Sequence, residues 1–304
     1  MVTGAHRSGT TWVGRMISCA PFVGYIPEPF HIHHSPGICS AVFENWYTYI
    51  TSENENNYER DIAKTLVFSY DLVAALRSSN LNIEKSCIFR EFTKFMIFRL
   101  LKYRPLIKDP LALFSAEWLA NRFNMQVIFL IRHPAAFAGS LKHARWPHPF
   151  GHFLQQPLLM RDHLSAYKDE IEKFTHSKQD IVEQAILLWK IFYGTALNFM
   201  HQQKDWLFVR HEDISLDPVA RFRDIFQRVN LTFSRRVEKV VIRHSCPERQ
   251  GTPSDERFSV ERNSKANIWN WKKRLTASEI DRIRIGVEEI SDAFYCDEDW
   301  KSTG

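Results

Sequence analysis

Residues 4–12 contain the groups in this chain best suited to hold a phosphate-like anion. Four residues separate Gly4 from Gly9, and the stretch carries a guanidinium and several hydroxyls: Arg7, Ser8, Thr10 and Thr11. The apolar pair Met1-Val2 precedes it and an amphipathic run follows it, so we expect a strand, a turn and a helix start. Such a turn directs backbone N–H groups and the positive end of a helix dipole at an anion.

The spacing of the two glycines matches a nucleotide-binding P-loop, but the residues after the second glycine do not. A Walker loop continues with Gly-Lys and then Ser or Thr, and its lysine contacts the β- and γ-phosphates of the nucleotide. Here Thr10 stands in place of that lysine, and the nearest cation is Arg7, inside the loop. We therefore expect an anion site without the lysine of nucleoside triphosphate hydrolysis. The alternative is an ordinary glycine turn that leads into a helix.

Two further stretches place a cation directly after an apolar run that predicts a strand. Lys108 follows the run 105–107, and Arg132 follows the five apolar residues 127–131. Open α/β sheets bind their ligands at the carboxyl ends of the strands. Ser140 lies in a predicted helix after Arg132, so these two residues are a candidate second anion site. The alternative for Arg132 is a structural salt bridge.

Glu28 stands between two prolines, Pro27 and Pro29, at the end of a third predicted strand. The prolines hold the chain extended and prevent a helix there. Three histidines follow: His31, His33 and His34. We interpret this stretch as a polar loop. Zinc is the alternative, but no cysteine or carboxylate completes a recognisable ligand set.

The apolar patterns predict an α/β fold with a central parallel sheet of about five strands flanked by helices. Five short apolar runs read as strands: 1–2, 23–26, 105–107, 126–131 and 206–209. Helical spacing of apolar residues covers most of the remainder: 58–77, 91–102, 113–123, 158–174, 181–200, 219–228, 235–243 and 277–293. The continuous apolar run before Arg132 is typical of a strand covered on both faces, and therefore of a parallel sheet. We expect one P-loop-like domain over residues 1–304.

Composition excludes several classes of protein. The 304 residues are 44% hydrophobic and 25% charged, with a net charge of +5, as in an ordinary soluble globule. No apolar run is long enough to span a bilayer, and the basic residues are too scattered for a nucleic-acid surface. The five cysteines are odd in number and far apart, so we expect reduced thiols in a cytoplasmic protein. The first predicted strand is short, which leaves open whether residues precede Met1.

Four motifs together resemble those of sulfotransferases that use 3′-phosphoadenosine 5′-phosphosulfate (PAPS). Residues 6–12, His-Arg-Ser-Gly-Thr-Thr-Trp, resemble the loop Pro-Lys-Ser-Gly-Thr-Thr-Trp that holds the 5′-phosphosulfate, with Arg7 in the place of the lysine. Arg132 and Ser140 match the Arg and Ser of the 3′-phosphate motif, with the family's eight-residue step between them. Residues 210–214, Arg-His-Glu-Asp-Ile, are similar to the Tyr-Glu-Asp-Leu segment after a core strand.

The fourth motif, residues 264–272, resembles the lid written Arg-Lys-Gly-x-x-Gly-Asp-Trp-Lys and keeps only Lys265, Trp271 and Lys272. A further departure concerns the catalytic base. Cytosolic members of the family have Lys-Thr-His after the third strand, where this chain has Lys108-Asp109-Pro110. Carbohydrate-type and bacterial members instead place the base in a Glu-Pro segment, which Glu28 and Pro29 resemble. The resemblance therefore assigns the base to Glu28, with His31 or Asp109 as alternatives.

The resemblance implies transfer of a sulfuryl group from PAPS to a hydroxyl of a carbohydrate, lipid or small metabolite. It implies catalytic roles for Glu28, Lys108 and Arg7, and helical insertions that cover the acceptor side. The implied donor-binding residues are Arg7, Ser8, Gly9, Thr10, Thr11, Trp12, Arg132, Ser140 and Lys265. No metal, nucleic acid or membrane span is expected. The alternatives are a P-loop small-molecule kinase, or a non-catalytic protein that binds anions or glycans on the same scaffold.

Overall fold

A computed structural model describes residues 1–78, 82–245 and 268–301. Its sheet has five strands: β1 (Val2–Gly4), β2 (Val23–Pro27), β3 (Arg104–Lys108), β4 (Ile128–Ile131) and β5 (Leu207–Arg210). The strand order is β2-β3-β1-β4-β5, and every neighbouring pair is parallel. The predicted α/β class and parallel five-stranded sheet are confirmed.

Helices join the strands and cover both faces of the sheet. Those before β5 are α1 (Thr10–Ile17), α2 (Glu59–Leu66), α3 (Leu72–Arg77), α4 (Asn82–Leu100), α5 (Ala116–Phe123), α6 (Pro134–Ala144), α7 (Gly151–Leu154), α8 (Pro157–Leu159), α9 (Lys168–His176) and α10 (Ile181–Gln202). Those after β5 are α11 (His211–Leu216), α12 (Pro218–Arg228), α13 (Arg235–Ser245), α14 (Trp271–Arg274), α15 (Ala277–Ser291) and α16 (Asp297–Trp300). No helix among the described residues is long and apolar enough to cross a membrane.

The apolar residues of strand β4 pack into two hydrophobic cores, one on each face of the sheet. Ile128 and Leu130 pack in one core with α1, α12 and α13, whereas Phe129 and Ile131 pack in the other with α6 and α10. Successive side chains of a strand point to opposite faces, so a strand covered on both faces needs an apolar residue at every position. This is why the residues of β4, directly before Arg132, are all apolar.

The parallel arrangement brings the ends of the five strands to one edge of the sheet. Glu28 follows β2, Lys108 ends β3, and the glycine-containing loop 5–9 follows β1. Arg132 follows β4 and His211 follows β5. The strand order therefore places the loop between Lys108 on one side and Arg132 on the other.

Two predicted helices are interrupted in the structure. The helix expected over residues 58–77 ends at Leu66, where Phe68 adopts a φ of 56° and the Ser69 N–H donates to the Lys64 carbonyl at 2.9 Å. This is a Schellman-type helix end. Asp71 then starts α3, since its side chain accepts the Ala74 N–H.

The helix expected over residues 158–174 is broken by a π-helical stretch, Met160–Leu164, and a 3₁₀ turn, Ser165–Tyr167. A π-helix pairs residues five apart. Leu159 and Leu164, which have that separation, are both fully buried. A regular α-helix does not bury both residues of such a pair on one narrow face.

Candidate active site

The loop between β1 and α1 turns sharply through three residues with positive φ: 136° at Gly4, 63° at Arg7 and 94° at Gly9. A Cβ atom at Gly4 would lie 2.4 Å from the backbone oxygen of Leu130, so only glycine fits there. No side chain caps α1, and its start is marked by the Val13 N–H donating to the Gly9 carbonyl at 3.1 Å. The N–H groups before Val13 lie in the uncapped first turn, where an anion can accept them.

Arg7, Ser140 and Arg132 come together on one side of this loop. The Nε of Arg7 donates to the Oγ of Ser140 at 2.9 Å. The Nη1 of Arg132 donates to the backbone carbonyl of Arg7 at 2.5 Å. The structure thus brings together two cations and a hydroxyl that lie far apart in the sequence, as a site for an anion requires.

Helix α10 holds the backbone of Arg132 in place. Its backbone N–H donates to the Tyr193 hydroxyl at 3.0 Å, and its carbonyl accepts the Trp189 indole N–H at 2.9 Å. Burial lowers the pKa of Arg132, and the negative charge of Glu212 opposes that shift. An arginine in a protein still keeps its proton, so this half-buried side chain is a cation.

Lys108, Glu28 and Thr11 come together on the other side of the loop. The Nζ of Lys108 donates to Thr11 Oγ1 at 3.1 Å and forms an ion pair with Glu28. The Lys108 side chain is only 3% exposed, whereas that of Glu28 is 37% exposed. A buried lysine therefore links the loop to a carboxylate that is accessible to solvent.

Three buried polar atoms around the loop have no hydrogen-bond partner among the described residues. They are Ser8 Oγ, Trp12 Nε1 and Arg132 Nε. Buried polar groups in native proteins are nearly always paired, so such a cluster suits a polar ligand. The Trp12 ring itself lies against Phe222 and His211, with ring centres 5.4 Å and 5.8 Å away.

A family model described as the sulfotransferase family matches residues 1–235. The chain belongs to the sulfotransferase family. The matched range contains the predicted site residues except Lys265, which lies outside the residues that the structure describes. A search of curated proteins gives no match.

Solved structures similar to this sulfotransferase share little sequence identity with it. The sulfotransferase domain of the Synechococcus PCC 7002 olefin synthase is 15% identical, with 97% of this chain and 94% of that chain covered and a TM-score of 0.49. Mouse sulfotransferase SULT7A1, solved in complex with PAP, is 12% identical, with 97% and 84% covered and a TM-score of 0.46. Sulfotransferase STF1 from Mycobacterium tuberculosis is 15% identical, with 80% and 70% covered and a TM-score of 0.38.

The two alternative bases occupy different environments in this sulfotransferase. Asp109 is fully buried, and its two carboxylate oxygens accept the backbone N–H groups of Phe30 at 2.6 Å and Leu111 at 2.8 Å. Burial raises the pKa of Asp109 to about 7, although the hydrogen bond from Phe30 opposes the rise. His31 is half-buried, and its N–H donates to the Glu28 carbonyl at 3.2 Å. Of these three residues, Glu28 has the carboxylate that contacts Lys108.

Several residues near the loop were given no site role from the sequence, although His211 is part of the third motif. His211 lies against the loop, since a Cβ atom at Gly9 would be 3.3 Å from its ring. Trp189 and Tyr193 hold the backbone of Arg132. The apolar pattern correctly indicates that Trp189 belongs to the core, but it does not reveal that the indole N–H has a polar partner. The position of His211 directly after a strand was the available signal.

The part of the predicted lid that the structure describes lies next to Arg132. The Trp271 ring stacks on His133, with ring centres 5.3 Å apart and planes 13° apart. Lys272 Nζ lies 5.1 Å from the centre of the same tryptophan ring. These contacts join α14 to the residue that follows Arg132.

Within the described ranges, no group of three His, Cys, Asp or Glu residues is arranged to hold a metal ion. A cavity of about 870 Å³ lies at the amino ends of the strands, beside Met1, Val23 and Arg104. It is on the opposite edge of the sheet from the loop, and no predicted site residue lines it. Cys19, Cys39, Cys87 and Cys296 are free thiols.

Proposed function

We propose that this sulfotransferase transfers a sulfuryl group from PAPS to a hydroxyl, with Glu28 as the base. One observation carries the proposal: the loop between β1 and α1, residues 5–9, separates two groups of side chains. Arg7, Ser140 and Arg132 lie on one side, and Lys108 and Glu28 lie on the other. The first group suits a nucleotide with phosphates at two positions, and the second suits proton removal and charge stabilisation.

The donor-binding roles follow from the contacts of the first group. The uncapped start of α1, together with Ser8 to Trp12, is proposed to hold the 5′-phosphosulfate. Arg132 and Ser140 are proposed to hold the 3′-phosphate, since Arg132 Nε has no partner among the described residues. Arg7 connects the proposed 5′-phosphosulfate and 3′-phosphate sites, because its side chain donates to Ser140 and its carbonyl accepts from Arg132.

The reaction requires one bond to form, one to break and one proton to move. The acceptor oxygen bonds to sulfur while the bond between sulfur and the 5′-phosphate oxygen breaks, and the hydroxyl proton goes to the Glu28 carboxylate. The departing phosphate gains negative charge. Lys108 and Arg7 lie at either side of the loop to stabilise that charge. Positioning and electrostatics then provide most of the acceleration, as in phosphoryl transfer.

Glu28 suits the role of base better than its two alternatives. It is the exposed member of its ion pair, so an acceptor can reach it. Asp109 is enclosed by backbone donors, and the contact of His31 with the base is through its own backbone. Because Arg7 and Lys108 supply positive charge, we expect turnover without added metal. The acceptor class, the single domain and the cytoplasmic location remain predictions.

The test is release of adenosine 3′,5′-bisphosphate from PAPS, with water and a panel of sugars, lipids and small alcohols as acceptors. We expect Glu28→Gln to lower turnover by about 10²–10⁴-fold, the range for a positioned base. It should leave the affinity for adenosine 3′,5′-bisphosphate unchanged. Glu59→Gln is the matched control, because Glu59, at the start of α2, is 33% exposed and is ion-paired with Arg122 of α5, away from the loop.

Consumption of PAPS by the wild type and the Glu59 variant, with loss only in the Glu28 variant, would support the proposal. Bisphosphate binding without turnover on water or any acceptor would indicate a non-catalytic binding protein. If Glu28→Gln leaves turnover unchanged, the base is a residue other than Glu28.

A further inference from the structure

Asp109 is connected to the turn that carries Glu28, on the side away from solvent. The Asp109 side chain is fully buried, and its Oδ2 accepts the N–H of Phe30 at 2.6 Å. Phe30 is the second residue after Glu28 and is also fully buried, with its ring stacked on Phe43 at 4.6 Å. The carboxylate thus fixes one end of a three-residue turn.

The other end of this turn is fixed by the sheet. Pro27 pairs with Lys108 in the register of β2 and β3, and the Glu28 N–H donates to the Lys108 carbonyl at 2.8 Å. Between these two anchors Glu28 adopts a φ of 42°, in the left-handed region that glutamate rarely adopts. Such a conformation persists only where the surroundings impose it.

We propose that Asp109 is a positioning residue that holds the Glu28 carboxylate in place for proton removal. This inference rests on the proposed role of Glu28 as the base. Asp109 does not touch the reacting atoms; it acts through Phe30 and the turn. The Oδ1 atom accepts the Leu111 N–H at 2.8 Å, so both oxygens are engaged and the carboxylate plane is fixed.

The side chain at position 109 must accept two hydrogen bonds, one from Phe30 and one from Leu111. Among side chains of this size, only a carboxylate has two acceptor oxygens. Asparagine keeps one acceptor oxygen and replaces the other with an NH₂ group, which cannot accept from Phe30 or Leu111. One buried N–H, that of Phe30 or that of Leu111, would then face a donor, so the side chain could no longer hold both and the turn would be fixed less firmly. A displacement of about 1 Å at a reacting centre can cost about 10²-fold in rate.

The experiment is a double-mutant cycle of Asp109→Asn and Glu28→Gln. The readout is bisphosphate release from PAPS with water as the acceptor, together with hydrogen exchange of the Phe30 amide. In the wild-type background we expect Asp109→Asn to lower kcat by about 10²-fold, leave the KM for PAPS unchanged and speed exchange at Phe30. In the Glu28→Gln background it should cause no further loss, because the group it positions is already absent.

Thr3→Val is the matched control. The Thr3 hydroxyl donates to the backbone carbonyl of Asp109 at 2.8 Å, and Thr3 is fully buried. This variant removes a buried hydrogen bond to the same residue without touching the turn, so it should lower stability but not kcat. If Asp109→Asn does not fold, Pro29→Ala tests the same coupling by loosening the turn between Glu28 and Phe30.

Equal losses from Asp109→Asn in both backgrounds, or no loss in the wild-type background, would overturn this inference and leave the proposed base intact. An unchanged kcat in Glu28→Gln would overturn the base assignment itself, and this inference with it. Loss in the wild-type background alone, with faster exchange at Phe30, is the result that supports it.

Discussion

The Arg132 side chain has one nitrogen bonded to the loop between β1 and α1 and another that is buried without a partner among the described residues. Its Nη1 donates to the Arg7 carbonyl and so helps to shape the loop between β1 and α1. Its Nε is buried without a partner in the part of the chain that the structure describes. The same side chain therefore both supports the loop and offers a donor to a ligand.

The change Arg132→Ala should weaken binding of adenosine 3′,5′-bisphosphate by about 1.5–3 kcal/mol, the range for a charged hydrogen bond. Binding of AMP should change much less, because AMP has no 3′-phosphate. Isothermal titration calorimetry with both ligands measures the difference. Arg161→Ala is the control, since Arg161 forms exposed ion pairs with Glu53 and Asp162. Equal losses for both ligands would mean that Arg132 acts only through the loop.

The sequence identifies the residues of the site better than it identifies their partners. The motifs predict that Arg132 and Ser140 serve one anion, and both lie beside Arg7. They do not predict that Arg7 itself bridges the two, because that contact depends on the distance between β1 and α6 in the folded chain. The sequence also does not predict that Asp109 is buried, because a charged residue after a strand is usually exposed.

At the scale of elements, the loop between β1 and α1 depends on how closely β1 approaches β4. Thr3 pairs with Phe129 and Gly4 pairs with Leu130 in this parallel register. Two constraints require glycine at position 4. The backbone has a φ of 136°, and a Cβ atom would have almost no space. The loop can leave the sheet at this point only from a glycine.

Gly4→Ala should lower the free energy of unfolding by about 3 kcal/mol or more, because backbone strain and overpacking add. Urea denaturation measures the change. Gly151→Ala is the control: a Cβ atom there would meet Thr175 at an ordinary 3.5 Å, and Gly151 begins helix α7. We expect that variant to be as stable as the wild type. Similar midpoints for both variants would contradict the close approach of β1 and β4.

Element prediction succeeded where a local signal was strong. The capping box of Thr276 and Glu279 is present at the start of α15, as its sequence indicates. The break between α2 and α3 was missed because the apolar spacing continues through it. Asp71 was the overlooked signal, since aspartate is a favoured residue before a helix. The strand order could not be derived from the sequence because it depends on pairing between distant segments.

At the scale of the whole molecule, buried histidines make stability depend on pH. Burial lowers the pKa of His6 and of His133 to about 3 in each case, and burial lowers that of His148 well below its ordinary value. These rings are neutral in the folded protein, while the unfolded chain takes up protons as the pH falls below about 6.5. The stability that these neutral histidines contribute is therefore fully present above that pH and is lost as the pH falls towards 3.

His133→Phe should reduce this decline. Both ring nitrogens of His133 lack hydrogen-bond partners among the described residues, so phenylalanine loses no such bond. Between pH 7 and 5 the wild type should lose about 2 kcal/mol more unfolding free energy than the variant. The raised pKa of Asp109 acts in the opposite direction but is common to both proteins. Urea denaturation at the two pH values measures the difference, and His176→Phe, at an exposed position, should match the wild type.

The central claim is that the loop between β1 and α1, with a group of side chains on each side, binds a nucleotide that carries phosphates at its 3′ and 5′ positions. Calorimetric titration with adenosine 3′,5′-bisphosphate, AMP and ATP–Mg²⁺ tests it most directly. We expect tight binding of the bisphosphate and much weaker binding of AMP, because only the bisphosphate engages both the loop and Arg132. Binding of ATP–Mg²⁺ without binding of the bisphosphate would contradict the account, including the roles of Arg132 and Glu28.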